Sequence, residues 1–206
     1  RVCESCLRGD DGSCYSSLYT ERGIWEAQGF LSEYIAEEEA NLIQVRLGLE
    51  DVAVLLEPMS TVVKALELVR TAQQRLAVRC GHAEHAWDQP NWGHCQRALI
   101  AGVGAEGILA ALWLRAAGGS VFVYANASPE STFASELQAV GVEYLSSSTV
   151  PPKELSDWVG QADIVLDTSG DAQICLSLLP SAARNGVLVV LELPLGAAPA
   201  DFDSAG

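Results

Sequence analysis

The run Gly102-Val103-Gly104-Ala105-Glu106-Gly107 constrains the fold more than any other stretch. It follows one apolar segment, Ala98 to Ala101, and opens a second, Glu106 to Ala117. Between a strand and a helix, a G-x-G-x-x-G run lets the backbone turn tightly at its first glycine, approach a pyrophosphate at its second, and pack helix on strand at its third. The amide groups at the start of such a helix face the phosphates. Downstream, short apolar runs read as strands at Val121 to Ala125, Val142 to Tyr144, Ile164 to Asp167 and Val187 to Leu191. Helical stretches near Ser131 to Val140 and Ala172 to Leu179 fall between them. This alternation predicts parallel βαβ units, an α/β chain with a Rossmann-type doubly wound parallel sheet. In that context the run reads as a dinucleotide site; without it, the same glycines would make a turn in a structural domain.

Two positions qualify this reading. Nineteen residues beyond Gly107, where an NAD-preferring site often carries an acidic residue for the ribose, the chain has Asn126, Ala127 and Ser128. No carboxylate there opposes a 2′-phosphate and no arginine immediately follows to bind one, so the expectation tilts only slightly toward NADP or dual use. Asn126 could equally be a strand end entering a turn. Glu106 is an unusual neighbour for a pyrophosphate. Its carboxylate would either point to solvent or interact with the positive end of the helix.

The first residues carry a second pattern, Cys3, Cys6 and Cys14. Structural zinc takes four thiolates in a tetrahedron, and Cys-x2-Cys spacing holds two of them in a tight turn. The intervening Leu7 to Ser13 is polar and turn-forming, with Gly9, Asp10, Asp11 and Gly12. The alternative is three unrelated thiols in a reduced protein. Repeating the two-residue gap backward from Cys3 puts a fourth cysteine one position before Arg1, so the chain is expected to be an internal piece of a longer protein.

The 49% hydrophobic content over 206 residues is ample for a packed core. A formal net charge of −15, with lysine only at Lys64 and Lys153, argues against nucleic acid as a partner, because phosphate binding needs clustered cations. No apolar run is long enough to span a bilayer, and no secretory signal opens the chain. Six cysteines in a chain of this size do not require disulfides, so a reducing cytoplasm is expected.

Between the cysteines and the glycine run, Gly29 to Ala36 and Asn41 to Val45 read as short strands of an antiparallel segment. Met59, Val62, Val63, Leu66, Val69 and Leu76 then recur at helical spacing, with Pro58 in the first turn and Glu57 at or beside the cap. Cys80, His82, His85, His94 and Cys95 crowd the segment before the glycine run. Thiolate and imidazole at these spacings can ligate zinc; the alternative is an irregular loop, marked by Trp87, Pro90, Asn91, Trp92 and Gly93.

The cysteines, Thr20 to Phe30 (TERGIWEAQGF), Leu55 to Glu67 (LLEPMSTVVKALE), GVGAEG and Arg184 to Leu193 (RNGVLVVLEL) together resemble the glucose 1-dehydrogenases, a branch of the zinc-containing medium-chain dehydrogenase/reductase family. The resemblance covers nearly the whole chain. It implies the end of a GroES-like catalytic domain over residues 1–60 and an incomplete NAD(P)-binding Rossmann domain over 61–206. It further implies oxidation of glucose or a related aldose at C1 to the lactone, with NADP or NAD as acceptor and with structural and catalytic zinc. By the same resemblance Cys3, Cys6 and Cys14 are structural-zinc ligands, Glu21 contacts sugar hydroxyls, and Glu57 serves the catalytic zinc or the substrate. Gly102, Val103, Gly104, Ala105, Glu106, Gly107, Asn126, Ala127, Ser128, Leu191, Glu192 and Leu193 lie along the cofactor. A homo-oligomeric full-length protein is expected. The remaining catalytic-zinc residues, a Cys and a His-Glu pair, would lie before Arg1, and the final strands after Gly206. Glu192 departs from the pattern, because relatives commonly have glycine there. A polyol, threonine or alcohol dehydrogenase, or a non-catalytic NAD(P)-binding module, are the other readings.

Overall fold

The computed structural model describes residues 3–9, 14–16, 18–75, 82, 89 and 91–192. The chain divides into two compact units, Arg1–Leu47 and Gly48–Gly206.

Among its described residues the first unit contains a single α-helical turn, α1 (Glu4–Leu7), a 3-10 turn, Glu39–Asn41, and two two-residue strands, β1 (Glu21–Arg22) and β2 (Glu26–Ala27). The Glu21 N–H donates to the Trp25 carbonyl at 2.7 Å and the Gly23 N–H to the Ala27 carbonyl at 2.9 Å. Polar contacts organise the residues beyond β2. The Arg22 guanidinium meets Glu37 at 2.7 Å and lies 5.4 Å from the centre of the Phe30 ring. The Asn41 amide, the Glu38 N–H and Arg22 together hold the Glu37 carboxyl below its ordinary range. The strands expected at Gly29 to Ala36 and Asn41 to Val45 are not formed; neither segment enters a ladder, Asn41 ends the 3-10 turn Glu39–Asn41, and Leu31 and Ile43 are fully or almost fully exposed. Strand-forming residue types form strands only where a partner strand and a face to bury against are present.

The second unit starts with a 3-10 segment, Glu50–Leu55, that runs into α2 (Leu56–Gln73). Pro58 falls in the first turn of α2, where its missing N–H breaks no helical bond. Val62, Ala65, Leu66 and Val69 form the buried stripe of this helix, whereas Val63 is partly exposed and Leu76 lies outside the described residues. That stripe belongs to the core shared with the sheet and α3. The compact unit that holds this stripe begins at Gly48.

The rest of the unit alternates as expected: β3 (Arg97–Ala101), α3 (Ala105–Ala116), β4 (Ser120–Ala125), α4 (Thr132–Ala139), β5 (Glu143–Ser146), α5 (Leu155–Val159), β6 (Ala162–Asp167), α6 (Ala172–Ser177) and β7 (Ala182–Val190). Only the short α5 has no counterpart in the sequence reading. The five strands are all parallel, in the order β5-β4-β3-β6-β7. Relabelled by sequence from β3, this is 3-2-1-4-5, the order of a Rossmann sheet through its fifth strand. Ala98 and Ile100 of β3 join Val62, Leu66 and Leu114 in one core. Leu99 and Ala101 join Tyr124, Leu155 and Leu178 in the other. Both faces are covered, so the strands read as continuous apolar runs rather than alternating ones.

The chain reverses direction through the sheet between β3 and β6. Ligands of open parallel sheets bind outside the carboxyl ends of the strands at this point.

Candidate dinucleotide site

Thr168 builds the site. It directly follows β6, and both its N–H (2.8 Å) and its hydroxyl (2.9 Å) donate to the carbonyl of Ala101, the last residue of β3. These bonds clamp the two strands at the switch point. The glycines fit around the clamp. Gly102 has φ of +106°, and a Cβ there would collide with Thr168 Oγ1 and lie 2.6 Å from its carbonyl oxygen. A Cβ on Gly107 would lie 2.5 Å from the Gly102 oxygen and 2.7 Å from Thr168 Oγ1. These two glycines thus serve the turn and the helix–strand packing. Gly104 differs. Its φ of −64° suits any residue, and within 4 Å a Cβ would meet only Glu106 Oε2, at 3.8 Å. It is exposed, and it caps the N-terminus of α3. Its lack of a side chain leaves open space rather than relieving a clash.

That space belongs to a cavity of about 450 Å³ lined by Gly102, Val103, Gly104, Asn126, Glu192 and groups from the other strand ends. Tyr124, Ala125, Ser147, Thr168, Ser169, Asp171 and Ile174 complete its wall and were not singled out in the sequence. The Asp-Thr-Ser-Gly-Asp run that starts at the last residue of β6 was a usable signal, since small polar residues at a strand's carboxyl end pack close to whatever binds there. The buried Asp167 carboxylate receives the Ser169 N–H at 3.0 Å and hydroxyl at 2.6 Å, shaping this turn. Burial, reinforced by the same carboxylate, pushes the Cys175 thiol up to about 11. Asp171 spends its carboxylate on the first N–H groups of α6, at Gln173 and Ile174.

The remaining expected cofactor residues are less uniform. Ala105 is the exposed first residue of α3. Glu106 is half-buried with its carboxylate folded back toward Gly104, so it lies at the positive end of α3 instead of pointing to solvent. The Ala127 carbonyl accepts the hydroxyls of Tyr144 (2.9 Å) and Ser146 (2.7 Å), while Ser128 is exposed and donates to Glu130. The Leu191 N–H donates to the Asp167 carbonyl at 2.8 Å, and the Glu192 carboxylate rests over Gly170. Leu193 lies outside the described residues.

In the first unit the Cys3 sulfur lies 3.4 Å from that of Cys6 and 3.8 Å from that of Cys14. All three sulfurs fall within 4.8 Å of one another. The Cys6 backbone N–H, the neighbouring thiols and the Tyr15 N–H bring the Cys3 thiol down to about 7. Sharing that charge pushes Cys6 up to about 11. Backbone N–H groups aimed at a sulfur stabilise a thiolate, and a thiolate is the form that binds metal. Among the described residues, no other group of three or more metal-type side chains comes together. Glu57 is exposed in the first turn of α2 and Glu21 is exposed in β1. His82 Nδ1 stands 3.9 Å from the Cys95 sulfur; Cys80, His85, Trp87 and Pro90 lie outside the described residues.

With the glycine turn, the switch-point cavity and the strand order in place, known proteins can be compared. Residues 50–205 match the family described as glucose dehydrogenase C-terminus. The chain belongs to that family. Over 192 residues it is 34% identical to a glucose 1-dehydrogenase of Methanocella arvoryzae, an overlap covering 93% of this chain and 49% of that protein. A glucose 1-dehydrogenase of Metallosphaera sedula is 33% identical over 91% of this chain and 48% of its own length. The chain therefore spans about half the length of the curated relatives it matches. The fold matches Haloferax mediterranei glucose dehydrogenase in complex with NADP, Zn and gluconolactone, with a TM-score of 0.80 at 21% identity, over 95% of this chain and 52% of that one. Galactitol-1-phosphate dehydrogenase from Escherichia coli matches at 0.72 and 19% identity, over 99% and 52%.

Proposed function

We propose that this chain supplies the dinucleotide-binding domain and a structural-zinc lobe of an NAD(P)-dependent zinc dehydrogenase that oxidises glucose or a related aldose at C1 to the lactone. The observation that carries the reading is the cavity at the β3/β6 switch point, bordered by Gly104 at the open N-terminus of α3. Membership of the glucose dehydrogenase C-terminus family and the names of the relatives support the sugar.

The site's residues fit a dinucleotide. Gly104 leaves the backbone bare where a pyrophosphate would come close, and the first N–H groups of the twelve-residue α3 face it. Thr168 keeps β3 and β6 in register, so the cavity's shape is preorganised. The bound nicotinamide supplies the hydride acceptor. Asn126 and Ser147 border the cavity at the ends of β4 and β5, where the ribose end of the cofactor would sit, and Glu192 borders it at the end of β7. Cys3, Cys6 and Cys14 would hold structural zinc as thiolates. Glu57 offers a hard carboxylate oxygen for catalytic zinc or substrate, and the Glu21 carboxylate can accept hydrogen bonds from sugar hydroxyls. Thiolates must stay reduced to hold zinc, which suits a reducing cytoplasm. No described helix is long and apolar enough to cross a membrane. Assembly as a homo-oligomer belongs to the same reading.

Titration of the protein's tryptophan fluorescence with NAD+ and NADP+ tests the dinucleotide site; saturable binding of at least one is expected, and binding of neither would sink it. For the sugar, the complete polypeptide carrying this sequence is assayed for NAD(P)H formation with aldoses, polyols, threonine and simple alcohols. A rate with aldoses above the others is expected.

A further inference from the structure

The end of the cavity at β6 and β7 is acidic, and one of its carboxylates has no partner. Leu191 ties the end of β7 to β6 by donating its N–H to the Asp167 carbonyl at 2.8 Å, and Glu192 follows in the cavity wall. The buried Asp167 carboxylate fixes the facing turn through the Ser169 N–H and hydroxyl, and the Asp171 N–H donates to Ser169 Oγ at 3.2 Å. Gly170 lies in that turn with φ of +65°. A Cβ there would stand 3.1 Å from Glu192 Cδ and 3.2 Å from Oε1, so the missing side chain makes the seat in which the carboxylate rests. Asp171, also in the cavity wall, is occupied in capping α6 at Gln173 and Ile174. Among the described residues, no hydrogen bond or ion pair engages Glu192 and no cationic side chain lines the cavity.

The strand order sets which half of a dinucleotide meets this carboxylate. A dinucleotide lies across the point where the order reverses, with its pyrophosphate at the N-terminus of the first helix and its adenosine ribose at the end of the second strand. Here those places are Gly104 at α3 and the end of β4, so the nicotinamide half falls on the other side, along the ends of β6 and β7. Resting on the dinucleotide reading, we propose that Glu192 makes the site favour the oxidised cofactor over the reduced one by holding an unpaired carboxylate beside the nicotinamide ring. The ring carries a positive charge when oxidised and none after it accepts hydride, while the rest of the cofactor is unchanged. A fixed negative charge therefore attracts the oxidised ring alone. Repulsion between Glu192 and the pyrophosphate acts on both forms and cancels from their comparison. Losing the attraction on hydride transfer favours release of the reduced cofactor, the direction that sugar oxidation requires.

Calorimetric titration of the complete polypeptide carrying this sequence tests this with NAD+, NADH, NADP+, NADPH and ADP-ribose, using the native protein, Glu192→Gln and Glu192→Asp. ADP-ribose lacks the nicotinamide and reads any effect on the pyrophosphate alone. For the cofactor pair that binds, the ratio of oxidised to reduced affinity is expected to fall about fivefold or more in Glu192→Gln at low salt, and by less as salt rises. Glu192→Asp keeps the charge and should retain much of the native ratio. An unchanged ratio in Glu192→Gln would overturn the proposal, and a matching shift in ADP-ribose affinity would then assign the carboxylate to the pyrophosphate. A ratio in Glu192→Asp as low as that in Glu192→Gln would also overturn it, since charge would not be the cause. Failure of every nucleotide to bind the native protein would remove the dinucleotide reading itself, a result distinct from binding with an unchanged ratio.

Discussion

The two units of this protein are held together by different means. In the second, β6 is buried along its whole length and both faces of the sheet pack against helices. In the first, only Cys3 and Ser5 are buried among the described residues, and organisation comes from a thiol cluster and a few polar contacts around Arg22 and Glu37. Hydrophobic burial scales with the apolar area removed from water, so the second unit can be stable without help. A lobe with so little buried surface gains order from a cross-link or a metal. Packing defects should therefore disable one unit and metal removal the other.

The largest effect is expected where the packing admits no atom. Gly102→Ala combines a positive φ with the Thr168 clash and should cost roughly 2–5 kcal/mol. Gly107→Ala should cost about 1–3 kcal/mol. Thermal denaturation followed by circular dichroism reads both, and a melting temperature within about 2 °C of the native value for Gly102→Ala would break the account of the clamp. Next comes the metal. Elemental analysis of the protein should find about one zinc per chain, and Cys3→Ser should lower that content while the cooperative unfolding of the β3–β7 core persists. Loss of the core transition on chelation would instead show that the metal supports both units.

Gly104→Ala sharpens the comparison inside the second unit. The residue has ordinary φ and open space around it, so stability should stay within about 0.5 kcal/mol of native. Dinucleotide affinity should fall several-fold or more, because the methyl group would stand where the pyrophosphate approaches. Unchanged affinity would show that the open space is not the phosphate site. The smallest effect concerns Tyr124, whose buried hydroxyl donates to the Val150 carbonyl at 3.0 Å. Tyr124→Phe should cost about 1 kcal/mol, measurable as a shift in the urea midpoint.

Much of the second unit was legible in the chain. Its five strands were anticipated because a doubly covered parallel sheet writes each strand as a short apolar run, and its glycines because only glycine tolerates the geometry at positions 102 and 107. The first unit was not legible in this way. Residues 29–36 and 41–45 have strand-forming side chains, but a strand is a relation between segments, and no ladder partners them among the described residues. The cavity lay between these cases. Gly102, Val103, Gly104, Asn126 and Glu192 could be named in advance, whereas Ser147, Thr168, Ser169 and Asp171 come from the ends of other strands, and only the strand order brings them to the same place.

Local sequence by itself determined the periodicity, the glycine turn and the spacing of Cys3, Cys6 and Cys14, because each depends on groups within a few residues of one another. Tertiary structure alone decided that Thr168 would clamp β3 to β6 and that Tyr144 and Ser146 would pin the turn after β4 through the Ala127 carbonyl. Those arrangements require segments distant in the chain to be placed first. The forces that place them, burial on two sheet faces and the pairing of parallel strands, act between segments and leave no local trace at the residues they bring together.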